Sequence, residues 1–231
     1  MQLNLFNNNQ VDYCWQNYIT LDENKHVYNS IVNDLSWKCL ILFGPNSSGK
    51  THLAHIWQSK NDAIFIDVNN FVSEMRYSDA FILEDVQNIK DEEMLLHCYN
   101  YMKENDKRLL ITSSILPKKL NFKLKDLSSR ILSTISVKIL PASEELLRIM
   151  LIKQFSDKQL KIDLKVIDYI LARIERSFHS INKVIEKIDN ESIGSNVTIP
   201  FINTLLKKVQ IDSFFCKVFI TYIKNLLIPI Q

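Results

Sequence analysis

The chain has 231 residues, of which 46% are hydrophobic and 23% charged, and its formal net charge is +2. This composition is typical of a folded globular protein, and the length suits one large domain or a large domain with a small one. The four cysteines have no paired spacing, which argues against a zinc site or a disulfide framework and makes a reduced, cytoplasmic setting the default expectation. The first six residues lack the basic flank and long apolar core of a secretion signal.

Charge is distributed unevenly along the chain. Residues 1–100 hold 6 Lys and Arg against 13 Asp and Glu, whereas residues 101–231 hold 22 against 13. A basic second half that faces a polyanion is one interpretation of this asymmetry. Because no dense basic run occurs, we favour the other interpretation, in which the lysines are spread over solvated helix faces.

The predicted elements begin after a polar linker at residues 7–12. A helix is predicted from Asp22 to Trp37, because four apolar side chains recur on one of its faces: Val27, Ile31, Val32 and Leu35. An apolar, strand-like run follows at Cys39–Phe43. A second helix-like run begins at Thr51 and extends to Trp57.

The segment between that strand and that helix reads G-x-x-x-x-G-K-T and holds two of the three glycines of the chain. A strand before it and a helix after it are the context that a phosphate-binding loop requires. Glycines allow backbone N–H groups to turn toward phosphates, and the N-terminus of the following helix favours negative charge. Lys50 would reach the β- and γ-phosphates, and the Thr51 hydroxyl would bind Mg²⁺. The predicted nucleotide-binding residues of the loop are Gly44, Pro45, Asn46, Ser47, Ser48, Gly49, Lys50 and Thr51.

Four more short apolar runs follow the phosphate loop, at residues 63–66, 80–83, 108–111 and 136–140. Helix-like segments separate most of them, notably a predicted helix at residues 92–104. Strands that alternate with helices predict a parallel sheet with helices on both faces. Because the apolar runs do not alternate with polar residues, the strands are expected to be buried on both sides.

Two of these strands end in residues that suit a nucleotide site. Glu84 and Asp85 follow the run at 80–83, where one carboxylate would hold Mg²⁺ through water and the other would orient the attacking water. The run at 108–111 ends in three hydroxyls, Thr112, Ser113 and Ser114, any of which could contact the γ-phosphate or that water. We therefore assign Glu84 to the metal, Asp85 to catalysis and the three hydroxyls to sensing.

Past Pro141 the pattern changes to helices alone, predicted at residues 143–155, 163–174, 177–189 and 199–208, with Ser143 as an N-cap. The predicted organisation is a peptide and linker at 1–11, an α/β nucleotide-binding domain at 12–140, a small all-helical domain at 141–209 and an amphipathic helix at 210–231. Lysines within that last helix argue against a membrane span, so we expect it to pack on the helical domain or on a partner.

The chain resembles the AAA+ ATPases in the order of its phosphate loop, acidic strand, hydroxyl-ending strand and the run Leu127-Ser128-Ser129-Arg130. Within them, Gly-Lys-Thr-His-Leu-Ala at 49–54 and the hydroxyl run followed by Pro117-Lys118 resemble the DnaA family. The resemblance covers about residues 12–208 and implies an AAA+ domain of five parallel strands followed by a helical lid. It also implies that Arg130, which could otherwise be an ordinary surface residue, is a catalytic arginine finger presented to the ATP of a neighbouring subunit.

The N-terminal run resembles the short peptide by which bacterial proteins bind the replication sliding clamp, and its predicted contact residues are Gln2, Leu3, Asn4, Leu5 and Phe6. With a DnaA-like core and only 23 residues after Lys208, the chain resembles the Hda family of replication regulators. This implies ADP or ATP with Mg²⁺ as ligands, and the sliding clamp and DnaA as partners. It further implies stimulated hydrolysis of DnaA-bound ATP, with no direct sequence-specific DNA binding and no membrane binding; self-association stays open.

Two departures from the DnaA pattern affect the expected activity. The strand that ends in the two carboxylates carries Glu84-Asp85 where Asp-Asp is usual in DnaA. His179 stands where the lid arginine of DnaA relatives touches the phosphates, so we assign His179 to nucleotide binding; Arg176 is almost one turn away. A weaker grip on the γ-phosphate implies weak turnover by this chain itself. A helicase-loader-type ATPase with its own ATP cycle and a DnaA-like adaptor with a structural nucleotide remain as alternatives.

Overall fold

The computed structural model describes residues 17–34, 36–68, 77–191 and 197–206. Spatial contacts divide the chain into two compact units, Met1–Pro141 and Ala142–Gln231. The first unit is an α/β structure and the second is helical in its described part.

The first unit is built on a five-stranded parallel sheet in the order β2-β3-β4-β1-β5. Its strands are β1 Cys39–Phe43, β2 Ile64–Phe65, β3 Ala80–Leu83, β4 Arg108–Ser113 and β5 Ile135–Lys138. In the central pair, Leu42 of β1 lies opposite Thr112 of β4. The predicted parallel sheet is therefore confirmed, and all its strands end at one edge.

Among the described residues, four α-helices cover these strands: α1 Asp22–Tyr28, α2 Lys50–Asn61, α3 Glu92–Glu104 and α4 Lys125–Ser133. Short 3₁₀ turns occupy Val86–Asn88 and Pro117–Lys119. The bounds of α3 agree with the prediction, and α2 is one turn longer at its C-terminus than the predicted run.

The predicted helix from Asp22 to Trp37 is wrong in its second half. Helix α1 ends at Tyr28 and passes into a π-helical turn, Asn29–Asn33, after which Asp34 is extended. The Asp34 carboxylate accepts hydrogen bonds from the backbone N–H and hydroxyl of Ser36, a local arrangement that competes with helix formation. Trp37 then folds back, so that its indole N–H donates to the Ser30 carbonyl.

Helices cover both faces of the sheet, and strand alternation sorts the apolar side chains between them. We call the side with α1 and α2 the α2 face; its buried cluster includes Leu40, Leu42, Ile82, Leu110, Leu53 and Trp57. We call the other side the α4 face; its cluster includes Ile41, Phe81, Ile111, Leu95, Leu127 and Ile131, the last three from α3 and α4. The helix that follows the phosphate loop and the helix that carries Arg130 thus pack on opposite faces.

Burial on both sides holds for β1, β3 and β4 but is wrong for β5. Ile135 is 58% exposed because β5 is an edge strand: of the described strands it pairs with β1 alone. Periodicity could not reveal this, since an apolar run is the same in sequence whether its strand is central or at an edge.

In its described part, the second unit packs four helices around an apolar core of its own: α5 Glu144–Asp157, α6 Leu164–Leu171, α7 Phe178–Glu191 and α8 at 199–206. The Ser143 hydroxyl accepts a hydrogen bond of 3.1 Å from the Leu146 N–H, which confirms the predicted N-cap. Helix α6 is shorter than predicted, since the Arg173 N–H bonds to the Ile170 carbonyl in a tighter turn. No helix within the described ranges is long and apolar enough to cross a membrane.

Candidate functional site

The loop between β1 and α2 has a shape that only glycine permits at two positions. The Gly44 N–H donates to the Ser113 carbonyl, and a Cβ at Gly44 would lie 2.3 Å from Cγ2 of Ile139 and 2.5 Å from its carbonyl oxygen. Gly49 has a φ of 95°, in the left-handed region that glycine adopts without strain. Both glycines of the motif are therefore demanded by close packing or by backbone conformation.

Polar groups of this loop suit an anionic ligand. The Ser48 side chain is buried, and its hydroxyl has no hydrogen-bond partner among the described residues. Helix α2 begins at Lys50, and its N-cap is Gly49, which has no side chain to bond the first N–H groups of the helix. Pro45, Asn46 and Ser47 form the exposed rim of the loop. A buried hydroxyl without a partner beside a helix N-terminus fits a phosphate group.

Lys50 is the buried cation of the site. Its ammonium donates to the carbonyl oxygens of Gly44, at 2.9 Å, and Pro45, at 2.8 Å. Burial lowers the pKa of Lys50, and the nearby Asp85 and Glu84 carboxylates oppose that shift. An ammonium has three hydrogens, so these two contacts hold Lys50 against the loop while a third donor remains for a phosphate.

The fold brings Thr51, at the end of the phosphate loop, into contact with Glu84, at the end of β3. The Thr51 hydroxyl donates to Oε1 of Glu84 at 2.9 Å. Alternation along β3 explains the contact, because Ile82 packs on the α2 face and Glu84, two residues later, points to the same side. No group of three or more His, Cys, Asp or Glu side chains that could hold a metal ion occurs among the described residues.

Asp85 lies next to this pair in a left-handed conformation, with a φ of 50°. Its N–H donates to the Thr112 hydroxyl at 3.0 Å, and its exposed carboxylate accepts from the Gln87 amide at 2.9 Å. The carbonyl oxygen of the same Gln87 amide accepts from the Ser114 N–H at 3.1 Å. Gln87 therefore links Asp85 to the end of β4, a role that the sequence analysis missed; its only signal was an amide two positions after the carboxylates.

The three hydroxyls at the end of β4 are not equivalent. Thr112 lies on the α2 face, in register with Leu42, and its hydroxyl accepts from Asp85. The buried Ser113 hydroxyl donates to the Ile115 carbonyl and accepts from the Ile115 N–H. Ser114 is tied through its N–H to Gln87. Of the three, Thr112 is therefore the hydroxyl that contacts the metal-binding strand β3, through Asp85, on the α2 face.

Arg130 is partly exposed on α4 and forms an ion pair of 3.3 Å with Asp126, one turn earlier. Helix α4 packs on the α4 face, opposite α2. It ends at Ser133, and β5 begins at Ile135. Parallel strands begin at one edge of a sheet and end at the other, so the C-terminal end of α4 lies at the edge away from the phosphate loop. Arg130 thus lies on the opposite face of the sheet from α2, and near the edge where the strands begin, whereas the phosphate loop lies at the edge where they end.

The helical unit holds the remaining predicted site residue. His179 is exposed in the first turn of α7, and Arg176 forms an ion pair of 3.0 Å with Glu144 at the start of α5. Two predicted segments, the peptide Gln2 to Phe6 and the helix at 210–231, lie outside the described residues.

Each of the two units matches a known protein family. Residues 62–139 match the family described as the bacterial DnaA ATPase domain, and residues 144–206 match the family described as the lid domain of Hda. The chain is a DnaA/Hda-related AAA+ protein. The predicted fold class, an AAA+ α/β domain followed by an all-helical lid, is confirmed.

Several DnaA proteins are similar to this AAA+ protein. The chromosomal replication initiator DnaA of Buchnera aphidicola is 24% identical over 233 residues, covering 86% of this chain and 53% of DnaA. DnaA of Aliarcobacter butzleri is 20% identical over 230 residues, and the match covers 85% of this chain and 52% of that DnaA. This DnaA/Hda-related chain thus spans about half the length of the curated relatives it matches.

Solved structures agree on the fold. Domain III of DnaA from Thermotoga maritima superposes with a TM-score of 0.73 at 20% identity, covering 86% of this chain and 97% of that domain. The AMPPCP-bound DnaA of Aquifex aeolicus has a TM-score of 0.66 at 20% identity, and the match covers 78% of this chain and 65% of that DnaA. At these identities the likeness concerns the fold alone.

Proposed function

We propose that this protein is a replication regulator that binds ADP or ATP with Mg²⁺, docks on the sliding clamp and stimulates hydrolysis of DnaA-bound ATP through Arg130. The DnaA and Hda families that match the two units support a role in replication. Stimulated hydrolysis would lower the supply of ATP-bound DnaA and so limit initiation.

Nucleotide binding is supported by the loop from Gly44 to Thr51. Its glycines allow the tight turn, the Ser48 hydroxyl is buried and unpaired within the described residues, and the ammonium of Lys50 lies against the loop. DnaA of Aquifex aeolicus, which shares the fold, binds the nucleotide analogue AMPPCP. In this chain Thr51 and Glu84 would hold Mg²⁺, which neutralises charge on the phosphates.

The position of Arg130 carries the proposal that it acts on a partner. Helix α4, which carries Arg130, packs on the face of the sheet opposite α2. Arg130 is near the C-terminal end of α4, which lies at the edge of the sheet where the strands begin. A guanidinium so placed is poorly located for the nucleotide of its own chain. The partly exposed side chain is instead available to the γ-phosphate of a neighbouring AAA+ subunit.

The chemistry asked of Arg130 is electrostatic. Negative charge spreads over the oxygens of the transferred phosphoryl group in the transition state, and a planar guanidinium can donate two hydrogen bonds to them. Fingers of this kind accelerate hydrolysis by about 10³ to 10⁵. The Asp126 ion pair is exposed, so exchanging that carboxylate for phosphate oxygens has a small cost.

Docking on the clamp is assigned to Gln2, Leu3, Asn4, Leu5 and Phe6, on the resemblance of this peptide to clamp-binding peptides. Clamp loaded on DNA would place the regulator where replication has begun. DnaA then supplies the ATP on which Arg130 acts.

The test is single-turnover hydrolysis of ATP preloaded on DnaA, with clamp on DNA and this protein added. We expect Arg130→Ala to abolish stimulation while ADP binding, clamp binding and melting temperature stay unchanged. Lys125→Ala, which removes an exposed cation from the same helix, is the matched control and should stimulate like wild type. Full stimulation by Arg130→Ala would reject the finger and favour an adaptor with a structural nucleotide.

The clamp requirement is tested separately by replacing Leu5 and Phe6 with Ala. The double variant should fold and bind ADP but lose the clamp in a pull-down and lose clamp-dependent stimulation. Clamp binding as tight as that of wild type would remove the peptide from the proposal without affecting Arg130.

A further inference from the structure

Helix α4, which carries Arg130, has an unusual N-terminal cap. It begins after Leu124, which is apolar and contributes no side-chain hydrogen bond. The cap is supplied from α3: Oε1 of Glu92 accepts from the Lys123 N–H at 3.1 Å, and Oε2 accepts from the Leu124 N–H at 2.8 Å. One carboxylate thus holds two consecutive backbone groups at the start of α4.

The charge of Glu92 suits this position. The N-terminus of a helix carries partial positive charge and unsatisfied N–H groups, both of which favour a carboxylate. The hydrogen bonds from Leu124 and Lys123 lower the pKa of Glu92. The anchoring carboxylate is therefore ionised at neutral pH, as bidentate acceptance from two N–H groups requires.

A second contact from α3 holds the other end of α4. The Thr134 hydroxyl donates to the carbonyl oxygen of Arg130 at 2.8 Å, and the Tyr99 hydroxyl contacts the same Thr134 oxygen at 2.9 Å. Because the Thr134 proton is used toward Arg130, Tyr99 is the donor in the second bond. Between the two ends, Leu127 and Ile131 pack in the cluster that includes Leu95 of α3.

Helix α3 is also tied to the candidate nucleotide site of the same chain. It begins at Glu92, only a 3₁₀ turn and a short connection after Asp85. Its N-cap is Asp91, whose carboxylate accepts from the Met94 N–H. Glu92 is therefore the first helical residue after the metal-strand carboxylates and also the cap of the helix that carries Arg130.

We propose that Glu92 is a positioning residue for Arg130: by fixing the start of α4, its carboxylate sets where the guanidinium is presented to the ATP of the partner. This inference rests on the proposed function. Glu92 touches no nucleotide itself and acts through α4. Loss of the cap would leave α4 held by Leu127, Ile131 and the Thr134 contact but would free its first turn to move, and small displacements of a catalytic group are costly.

The experiment uses the full chain with Glu92→Gln, in which an amide replaces the carboxylate and loses both the charge and one acceptor oxygen. Glu93→Gln, an exposed neighbour in the same turn, is the matched control. We expect Glu92→Gln to lower the saturating rate of stimulated DnaA-ATP hydrolysis roughly tenfold or more. The concentration for half-maximal stimulation should stay unchanged, because docking does not depend on the finger. A wild-type rate for Glu92→Gln would overturn the inference.

Binding measurements separate positioning from general damage. If Glu92 acts only through Arg130, Glu92→Gln binds ADP and the clamp as tightly as wild type does. A loss of ADP binding by Glu92→Gln would show that the substitution damages the fold instead. Thr134→Val, which removes the contact at the other end of α4 with little change of shape, should lower the saturating rate in the same way.

Amide hydrogen exchange distinguishes a failure of the Glu92 role from a failure of the proposed function. Glu92→Gln should accelerate exchange of the Lys123 and Leu124 amides and leave β4 amides unchanged. If wild type stimulates no hydrolysis, the proposed function fails whatever the exchange data show. If wild type stimulates and those two amides stay protected in Glu92→Gln, the positioning role of Glu92 is wrong and the finger stands.

Discussion

The backbone N–H of Asp85 donates a hydrogen bond of 3.0 Å to the hydroxyl of Thr112. This contact joins the carboxyl ends of the neighbouring strands β3 and β4. It also holds Asp85 in its left-handed conformation, from which the carboxylate reaches the Gln87 amide. The residue proposed to orient the attacking water is therefore positioned by a hydroxyl that the sequence analysis assigned to sensing.

Replacing Thr112 by Val tests this relationship. Valine keeps the branched shape but leaves the Asp85 N–H without its acceptor, so we expect a loss of about 1 kcal/mol in the free energy of unfolding. Urea unfolding of Thr112→Val and Thr112→Ser measures it, with Ser as the control that keeps the hydroxyl. Because Ser also loses the buried methyl group, wild type is the reference for Thr112→Val, and a Val variant as stable as wild type would show that the hydrogen bond contributes nothing.

Lys50→Ala should abolish nucleotide binding. The substitution removes the positioned ammonium of the phosphate loop, while the helix that follows it keeps its packing on β1 and β4. A ligand at 100 times its Kd stabilises the folded state by about 2.7 kcal/mol, which raises the melting temperature of wild type in ADP. Thermal unfolding with and without ADP is the measurement, with Lys60→Ala on the same helix as control. An unchanged shift in Lys50→Ala would reject the loop assignment.

Glu84 should couple nucleotide binding to Mg²⁺. Because the Thr51 hydroxyl and the Glu84 carboxylate are in contact, we expect wild type to bind ADP more tightly in Mg²⁺ than in EDTA. Glu84→Gln keeps an acceptor for Thr51 but loses the charge, so the difference between the two conditions should shrink. Glu84→Asp, which restores the residue usual in DnaA relatives, should keep it. Calorimetric titration of each variant with ADP, in Mg²⁺ and in EDTA, measures this difference in affinity. If Mg²⁺ tightens ADP binding by Glu84→Gln as much as by wild type, Glu84 is not part of the metal site.

Two cysteines of the α4-face cluster, the partly buried Cys39 on β1 and the buried Cys98 on α3, should resist alkylation. Burial raises the pKa of both Cys39 and Cys98 to about 12, so the reactive thiolate is scarce at pH 8.5. Since the folded pKa lies above the unfolded value, the linked stability is present at neutral pH and declines as the pH rises above 9. Iodoacetamide labelling followed by peptide mass spectrometry should modify Cys39 and Cys98 only in denaturant. Rapid labelling of either in buffer would contradict their burial.

Local rules account for the features that the amino-acid sequence predicts correctly. The phosphate loop, the five strands, helix α3 and the Ser143 cap each depend on residues close together in sequence, because dihedral preference and capping act over a few residues. The second half of the first predicted helix failed for a related reason. Its apolar spacing was helical, but the hydrogen bonds between Asp34 and Ser36 were stronger than that preference.

The sequence by itself thus determined the fold class and the positions of the nucleotide motifs. Tertiary structure alone decided which distant groups meet: Thr51 with Glu84, Gln87 with Ser114, and Glu92 with the start of α4. It also decided that β5 is an exposed edge and that Arg130 lies on the face opposite the phosphate loop. These relationships join residues about 30 positions apart or depend on strand order, which is set by the packing of the whole domain and leaves no mark in local periodicity.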